Sequence, residues 1–510
     1  MKIIVFYIFL IFLLASCGED KGTSLFNSDI KFPSSTNGQT ETETETDVPV
    51  VVDLNGNGNY ASLNDALSAG EKNILINSGT YEISEIITID QDNVTIEGAS
   101  KDDVSVIQMN GDKDLFIIKS DNVVIKNLTL DTETYNAQAV IVEAGGNNIT
   151  IENNNIYGGS NIIPIFFAGP PVSTDGTNSN TRDETINVYL GNGESQHDFS
   201  KFNIIKNNII RSNFNGSSIS VSLQRFGEIS NNTVEGGMIN LSMNKDLLIS
   251  ENTIVNSIRS GISITLPSEN ISVADNIIQN SSLHGIFMLP QYDEHGHENE
   301  NIISSGIDIT GNTISASIYG IALQGYNSAH ESWGSVSGVA ISSNVINQYD
   351  FSGMWLYELS NVLVNLNTIN FNECTISTRG TGDIPAIASR DSAGIHLYDG
   401  LYSFIITSNS ISKNASCTDI SVAQNAITIS NQVLNSAAID TVVISNNSFV
   451  NESSDWMHSN VSYLDDYIFI SSNPAGDFSA YEGIDFHGVD VQNLSVIDQI
   501  STSLNSNTIQ

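Results

Sequence analysis

The sequence predicts an all-β chain: one right-handed parallel β-helix, a solenoid in which each turn of backbone stacks on the last. Three observations predict it. A six-residue unit of the form I-x-x-N-x-I occurs ten times between Ile151 and Phe449. Its asparagines, Asn154, Asn208, Asn232, Asn252, Asn276, Asn312, Asn344, Asn367, Asn409 and Asn447, stand 20 to 24 residues apart where the spacing is shortest. The composition, with 38 Gly, abundant Asn, Ser, Ile and Val and only 15% charged residues, suits short strands joined by tight turns and suits helical bundles badly.

One unit cannot enclose a core. It gains one by stacking on its neighbours at about 4.8 Å per coil, with the apolar residues on either side of the asparagine pointing into the stack. An asparagine repeated at a bend can donate to one neighbouring coil and accept from the other, forming an amide ladder. The longer intervals of 54, 36, 32, 42 and 38 residues read as the same coil carrying insertions. Val94–Ala99 and Ile125–Leu130 fit the register with Ala99 and Leu128 in the asparagine position. A second strand opens at Gly237, Gly261, Gly285, Gly320, Gly353 and Gly394, where a turn of positive φ is expected.

The ends differ from the repeat. Lys2 precedes the apolar run Ile3–Leu14 and then Leu14-Ala15-Ser16-Cys17. That run is too short to span a bilayer as a helix and fits a signal-peptide core. The sequence Leu-Ala-Ser-Cys resembles the bacterial lipoprotein signal, which implies cleavage after residue 16, lipidation of Cys17 and membrane attachment through that lipid. Gly18 favours the outer membrane or cell surface by the same resemblance. Residues 17–48, including Thr-Glu-Thr-Glu-Thr-Glu-Thr-Asp at 40–47, hold too few apolar groups for a core and read as a disordered tether. The solenoid is expected over 49–454 and a C-terminal cap over 455–510. Within the first coil, 60–69 reads as a short amphipathic helix, Asn73–Asn77 as a strand and Gly79-Thr80-Tyr81 as a turn.

That N-terminal stretch resembles the cap of pectate-lyase-like β-helix proteins, in which a helix covers the open end of the core. With the repeat, the resemblance spans roughly 50–450. It implies membership of the carbohydrate-binding and sugar-hydrolysing β-helix proteins, among them pectate and alginate lyases, epimerases and glycosidases. It is architectural, and function does not follow from fold. The Gly-His-Gly pattern of polygalacturonases, the Gln-Asp-Thr-Leu motif of pectin methylesterases and the Asp-Pro-His signature of mannuronan epimerases are all missing. The net charge of −40, from 58 acidic and 18 basic residues, excludes a nucleic-acid partner and would repel polyanionic sugars unless a cation intervened. A monomer is expected.

On a solenoid, insertions gather on the binding face. Those at about 168–200, 290–303 and 324–337 leave the same edge of the stack, and 372–392 leaves a neighbouring corner. Outward positions beside that edge carry Phe287, Trp355 and His396, then Tyr357 and Tyr398; the loops add Tyr326 and Trp333. This aromatic strip suits the apolar faces of sugars in an extended polysaccharide, or else packs beneath the loops. Asp293, His295 and His297 could ligate zinc, or Asp293 and Asp399 could bind calcium (Ca2+) through oxygen; the bland alternative is a solvated acidic loop.

Two functions compete. In a surface polysaccharide lyase or C5-epimerase, His396 or Tyr398 would abstract the C5 proton of a uronic acid, with Arg390 or a cation stabilising the anion. In a non-catalytic glycan-binding or adhesive protein, the aromatic strip alone would make the contact. Cys374 and Cys417 follow their ladder asparagines by seven and eight residues, so both fall on one corner of consecutive coils. A Cys374–Cys417 disulfide pinning two long turns is predicted for an exported chain, with two free thiols as the alternative. Alkylation under denaturing, non-reducing conditions separates them: the bridge protects both residues, and labelling of both removes it.

Overall fold

A computed structural model describes residues 48–168 (except 112, 136, 144, 160 and 161), 189, 198–290 (except 213–215), 303–325, 335–371, 393–398, 402–413, 425–430, 440–451, 468–471 and 508–509. These belong to the unit Asp47–Gln510. The expected signal, tether and Cys17 lie outside the described residues, as do Cys374 and Cys417.

Every strand pairing is parallel, and each coil pairs with the coils before and after it, giving the expected right-handed parallel β-helix. One coil illustrates all. Glu269–Ala274 lies on the first face, Ile277–Gln279 on the second and His284–Pro290 on the third. The first face belongs to a 16-stranded sheet; the other two are joined into a 25-stranded sheet by long strands such as Thr313–Gln324 and Val345–Tyr357 that turn the corner between them. Alternation does the sorting. On the first face Val273 pairs with Ile249 and Ile309 and points inward to the core, whereas Ala274 and its partners point outward.

The asparagine ladder forms as its spacing predicts. All ten amides are buried. Asn276 is typical: its Nδ2 donates to Asn312 Oδ1 (2.9 Å) and to the Ile249 carbonyl of the preceding coil (2.9 Å), while its Oδ1 accepts from Asn252 Nδ2 (2.9 Å) and Asn252 N (3.0 Å). Leu128 occupies the same position one coil before Asn154 and donates its N–H to Asn154 Oδ1 (3.0 Å). The residue just before each rung has a left-handed backbone, for example Asn153 (φ 52°), Glu251 (φ 56°) and Leu366 (φ 56°). Asparagine tolerates that region; other L-residues cost about 1–2 kcal/mol there, which the stacked amides hold in place. A second left-handed position lies six residues before each rung, among them Asn148, Asn270 and Asn361, and it carries Phe202 (φ 60°) and Phe226 (φ 57°) in two coils. Their ring stacking returns only about 0.5–1.5 kcal/mol.

A shorter polar ladder lines the corner between the third and first faces. Asn203 donates to Gln224 Oε1 (2.8 Å), Gln224 N–H donates to Asn244 Oδ1 (2.8 Å), and Ser268 continues the line.

Three expectations are corrected. Gly261, Gly285 and Gly320 sit in extended strands rather than positive-φ turns; a Cβ on Gly285 would meet Ile314 Cγ2 at 2.4 Å and the Gly320 carbonyl oxygen at 2.5 Å. These glycines are there because a corner is crowded. Gly79 opens the strand Gly79–Ile83 rather than a turn. The cap helix is shorter than expected, Leu63–Ser68; Ser62 Oγ accepts from Asp65 N–H (3.1 Å) and Leu63, Ala66 and Leu67 bury against the core. In the tail, Ile468–Ser471 pairs with the strand Asn425–Ser430 and Thr508–Ile509 with Ser448–Asn451, so part of 455–510 extends the stack.

Replacing Asn276 by Ala removes two buried acceptor bonds and two buried donor bonds at once. We expect a loss of about 3 kcal/mol, since each orphaned buried group costs roughly 1–3 kcal/mol. Asn370→Ala, which removes an outward amide bonded to Asn347 (2.8 Å), should cost less than about 1 kcal/mol. Urea unfolding of the two variants makes the comparison.

Candidate functional site

The register places the expected third-face strip side by side. Phe287 pairs with Ala322, Ala322 with Trp355, and Trp355 with His396; Tyr357 pairs with Tyr398. Tyr326, Trp333, Arg390, Asp293, His295, His297 and Asp399 lie outside the described residues, and the side chain of Tyr398 does too. Among the described residues no group of three or more His, Cys, Asp or Glu could hold a metal ion.

What the strip makes is a satellite cluster, not an open groove. Phe287 and Trp355 pack against Ile318, Tyr319 and Ala322. Trp355 stacks on Tyr357 at 5.7 Å between ring centres, and Tyr357 is 6% exposed. His284, which the sequence reading passed over, lies on Phe287 at 4.1 Å and near Tyr319 at 5.4 Å; its Nδ1 is 3.2 Å from Ser260 Oγ. His396 is 0% exposed. Burial pushes the imidazoles of His284 and His396 down to about 3, because charging either ring would strand a cation in an apolar layer. The expectation of His396 as a solvent-facing base is corrected: it lies on the outer side of its sheet, between inward Ile395 and Leu397, but is covered. Phe287, Trp355 and Tyr357 are likewise packed more than they are displayed.

The open site is on the second face. Tyr157, Arg211 and Glu235 pair in register on successive coils, with Asp131 one coil earlier. Alternation dictates their direction, since Ile156, Ile210 and Val234 between them are buried in the core. The guanidinium carbon of Arg211 lies 5.8 Å from the Tyr157 ring centre, and Arg211 Nε is 3.1 Å from Glu235 Oε2. Arg211 and Glu235 keep 55% and 48% of their side-chain surface exposed. With Glu133, Ser212 and Asn256 they line an open pocket of about 550 Å³. Aromatic face, planar donor fork and carboxylate stand in a row at coil spacing, and two pocket carboxylates outnumber the one guanidinium. The sequence reading missed this row. Its signal was present: each member lies three residues after a ladder asparagine (Asn154, Asn208 and Asn232).

No protein-family model matches the sequence, and a search of curated proteins found no relative. Among solved structures, the chain is similar to the A-module of the Azotobacter vinelandii mannuronan C-5 epimerase AlgE6, with 13% identity and a TM-score of 0.42 over 77% of this chain and 88% of that one. It is similar to PfbA, a surface adhesin of Streptococcus pneumoniae, with 16% identity and a TM-score of 0.42 over 73% and 89%. It is also similar to the catalytic unit of a GH87 α-1,3-glucanase from Streptomyces thermodiastaticus, with 13% identity and a TM-score of 0.35 over 80% and 61%. Likeness at this level is likeness of the coil and carries nothing about a reaction.

The buried histidines have a pH consequence. His396 has a folded pKa (about 3) below its unfolded value, so the unfolded chain takes up the proton first as pH falls. Its contribution is therefore fully present above about pH 7 and is lost as pH falls from 6.5 toward 3, at about 1.4 kcal/mol per pH unit. Between pH 7 and 5, wild type should lose about 2 kcal/mol more stability than His396→Gln, read from urea midpoints at the two pH values. Equal losses would mean that the ring is accessible to protons in the folded state.

Proposed function

We propose that this protein is a glycan-binding protein of the bacterial envelope, tethered through lipidated Cys17, which takes an extended polysaccharide along the second face of its β-helix. The carrying observation is the outward Tyr157–Arg211–Glu235 row, with Tyr157 half-buried and Arg211 and Glu235 exposed. A tyrosine ring offers its face to the apolar C–H face of a sugar. A guanidinium paired with a carboxylate offers fixed donors and acceptors to neighbouring hydroxyls. Coils repeat at about 4.8 Å, close to the rise of one sugar ring in an extended chain, so one polymer can meet all three side chains.

The carboxylate excess in the pocket favours uncharged sugars. A uronic-acid polymer would need a bridging cation, and calcium held by Asp293 and Asp399 is the form that such a bridge would take. Binding without turnover is preferred to lyase or C5-epimerase chemistry with His396 as the base, because a base must come within hydrogen-bond reach of the proton it removes and His396 is buried.

The test is retention of purified protein on a panel of immobilised neutral and uronic-acid polysaccharides, with and without calcium, while release of unsaturated or reducing ends is followed. We expect binding to a neutral polymer, no new ends, and at least about tenfold weaker binding for Tyr157→Ala and for Arg211→Ala, about 1.4 kcal/mol each. Unchanged binding by both variants would remove the second-face site. New unsaturated ends would return the protein to the lyases.

A further inference from the structure

A different place on the stack carries an unexplained strain. Near the start of the first face, the position six residues before a rung is left-handed, and most coils fill it with Asn or Gly, as at Asn122, Asn148, Asn270, Gly306 and Gly338. These residues adopt that backbone readily. Phe202 and Phe226 do not, yet both occupy it on consecutive coils with φ of 60° and 57°. A bulky residue there is an outlier that the surroundings must hold in place, and such outliers gather at functional sites.

The two rings add nothing to the core, because they stand outside it. They stack on each other, with centres 5.4 Å apart and planes 18° apart. The Arg225 guanidinium carbon lies 4.6 Å from the Phe226 ring centre, and Arg225 Nε is 2.9 Å from Asp246 Oδ2 on the next coil. One side of the pair is thus closed. On the other side the stacked residue is Asn148, whose N–H donates to the Lys201 carbonyl (2.9 Å) and whose side chain is too short to cover a phenyl ring. Phe202 is 39% exposed. Beside it Lys201 Nζ pairs with Asp198 (2.6 Å), and Lys245, in register with Arg225 on the next coil, pairs with Glu269 (3.2 Å), so all three cations of this column are already neutralised. Insertion 168–199 rejoins the stack here, at the strand Ser200–Lys201.

We propose that Phe202 and Phe226 form a second sugar-stacking platform, which takes an uncharged hexose unit of an extended glycan. This rests on the glycan-binding reading but on none of the second-face residues. An exposed aromatic face at coil spacing, rimmed by amide and paired charge, matches the apolar face and equatorial hydroxyls of a neutral pyranose. A polyanion finds no free cation in this column, because Lys201, Arg225 and Lys245 are all engaged.

The test uses glucose hexamers of α-1,3 and β-1,4 linkage, with a hexauronate as contrast, in titration calorimetry against wild type, Phe202→Asn/Phe226→Asn and Tyr157→Ala/Arg211→Ala. Asparagine is the residue that the same position holds elsewhere, so the double asparagine variant should melt at the wild-type temperature or above it. It should bind a neutral hexamer at least tenfold more weakly, whereas Phe202→Trp should retain binding. A clear fall in melting temperature would make the rings structural and overturn the proposal, as would unaltered affinity. Loss only in Tyr157→Ala/Arg211→Ala would reject the platform and leave the second-face site standing; loss only in the asparagine variant would do the reverse. Preference for the hexauronate would overturn the ligand class.

Discussion

The structure hangs on a buried primary amide with all of its hydrogen-bonding capacity used. A side chain such as Asn276 could not sit in the core of a solenoid otherwise, because a buried donor or acceptor without a partner costs more than a made bond returns. Satisfaction requires a coil above and a coil below at the spacing of stacked strands, each supplying another asparagine except at the first rung, where the Leu128 N–H donates to Asn154 Oδ1. The ladder therefore sets the register of every coil against its neighbours, and holds the left-handed residue that turns the chain from the first face to the second. Insertions as long as that between Asn154 and Asn208 leave the rungs in contact, since Asn154 Nδ2 still reaches Asn208 Oδ1 at 3.1 Å.

Once the register is set, the outer surface follows by alternation, and each column becomes a row of side chains at coil spacing. Such rows serve different ends. Glu97, Lys126, Glu152 and Lys206 stack with alternating charge on the first face, with ion pairs of 3.1 Å that are half-exposed and add little stability. Phe287, Trp355 and His396 form an apolar layer on the third. Arg211 and Glu235 stand open beside a half-buried Tyr157 on the second. The same geometry that stacks coils for stability thus presents repeating chemistry at a repeat suited to a polymer.

The two histidines and the two strained phenylalanines mark opposite uses of an outer position. His284 and His396 are neutral rings absorbed into packing, where burial depresses their pKa. Phe202 and Phe226 are apolar rings left outside, at a backbone conformation that favours Asn or Gly. A titratable residue in a suggestive place is buried, whereas a hydrophobic residue in an unfavourable backbone conformation is left exposed.

The sequence by itself determined the solenoid, the ladder and the edge from which insertions leave, because these depend on spacing, and spacing is written in the chain. It placed Trp355 beside His396 correctly for the same reason. Tertiary structure alone decided which outward residues see solvent. An outward column is exposed or covered according to what other segments lie over it, and neither alternation nor residue type carries that information. So His396 reads as a base and is buried, while Arg211 and the half-buried Tyr157, equally regular in the repeat, went unnoticed and line an open pocket. The glycines followed the same division: their recurrence was legible, but the cause at Gly261, Gly285 and Gly320, an isoleucine methyl of the next coil pressing on the corner, exists only once the coils are stacked.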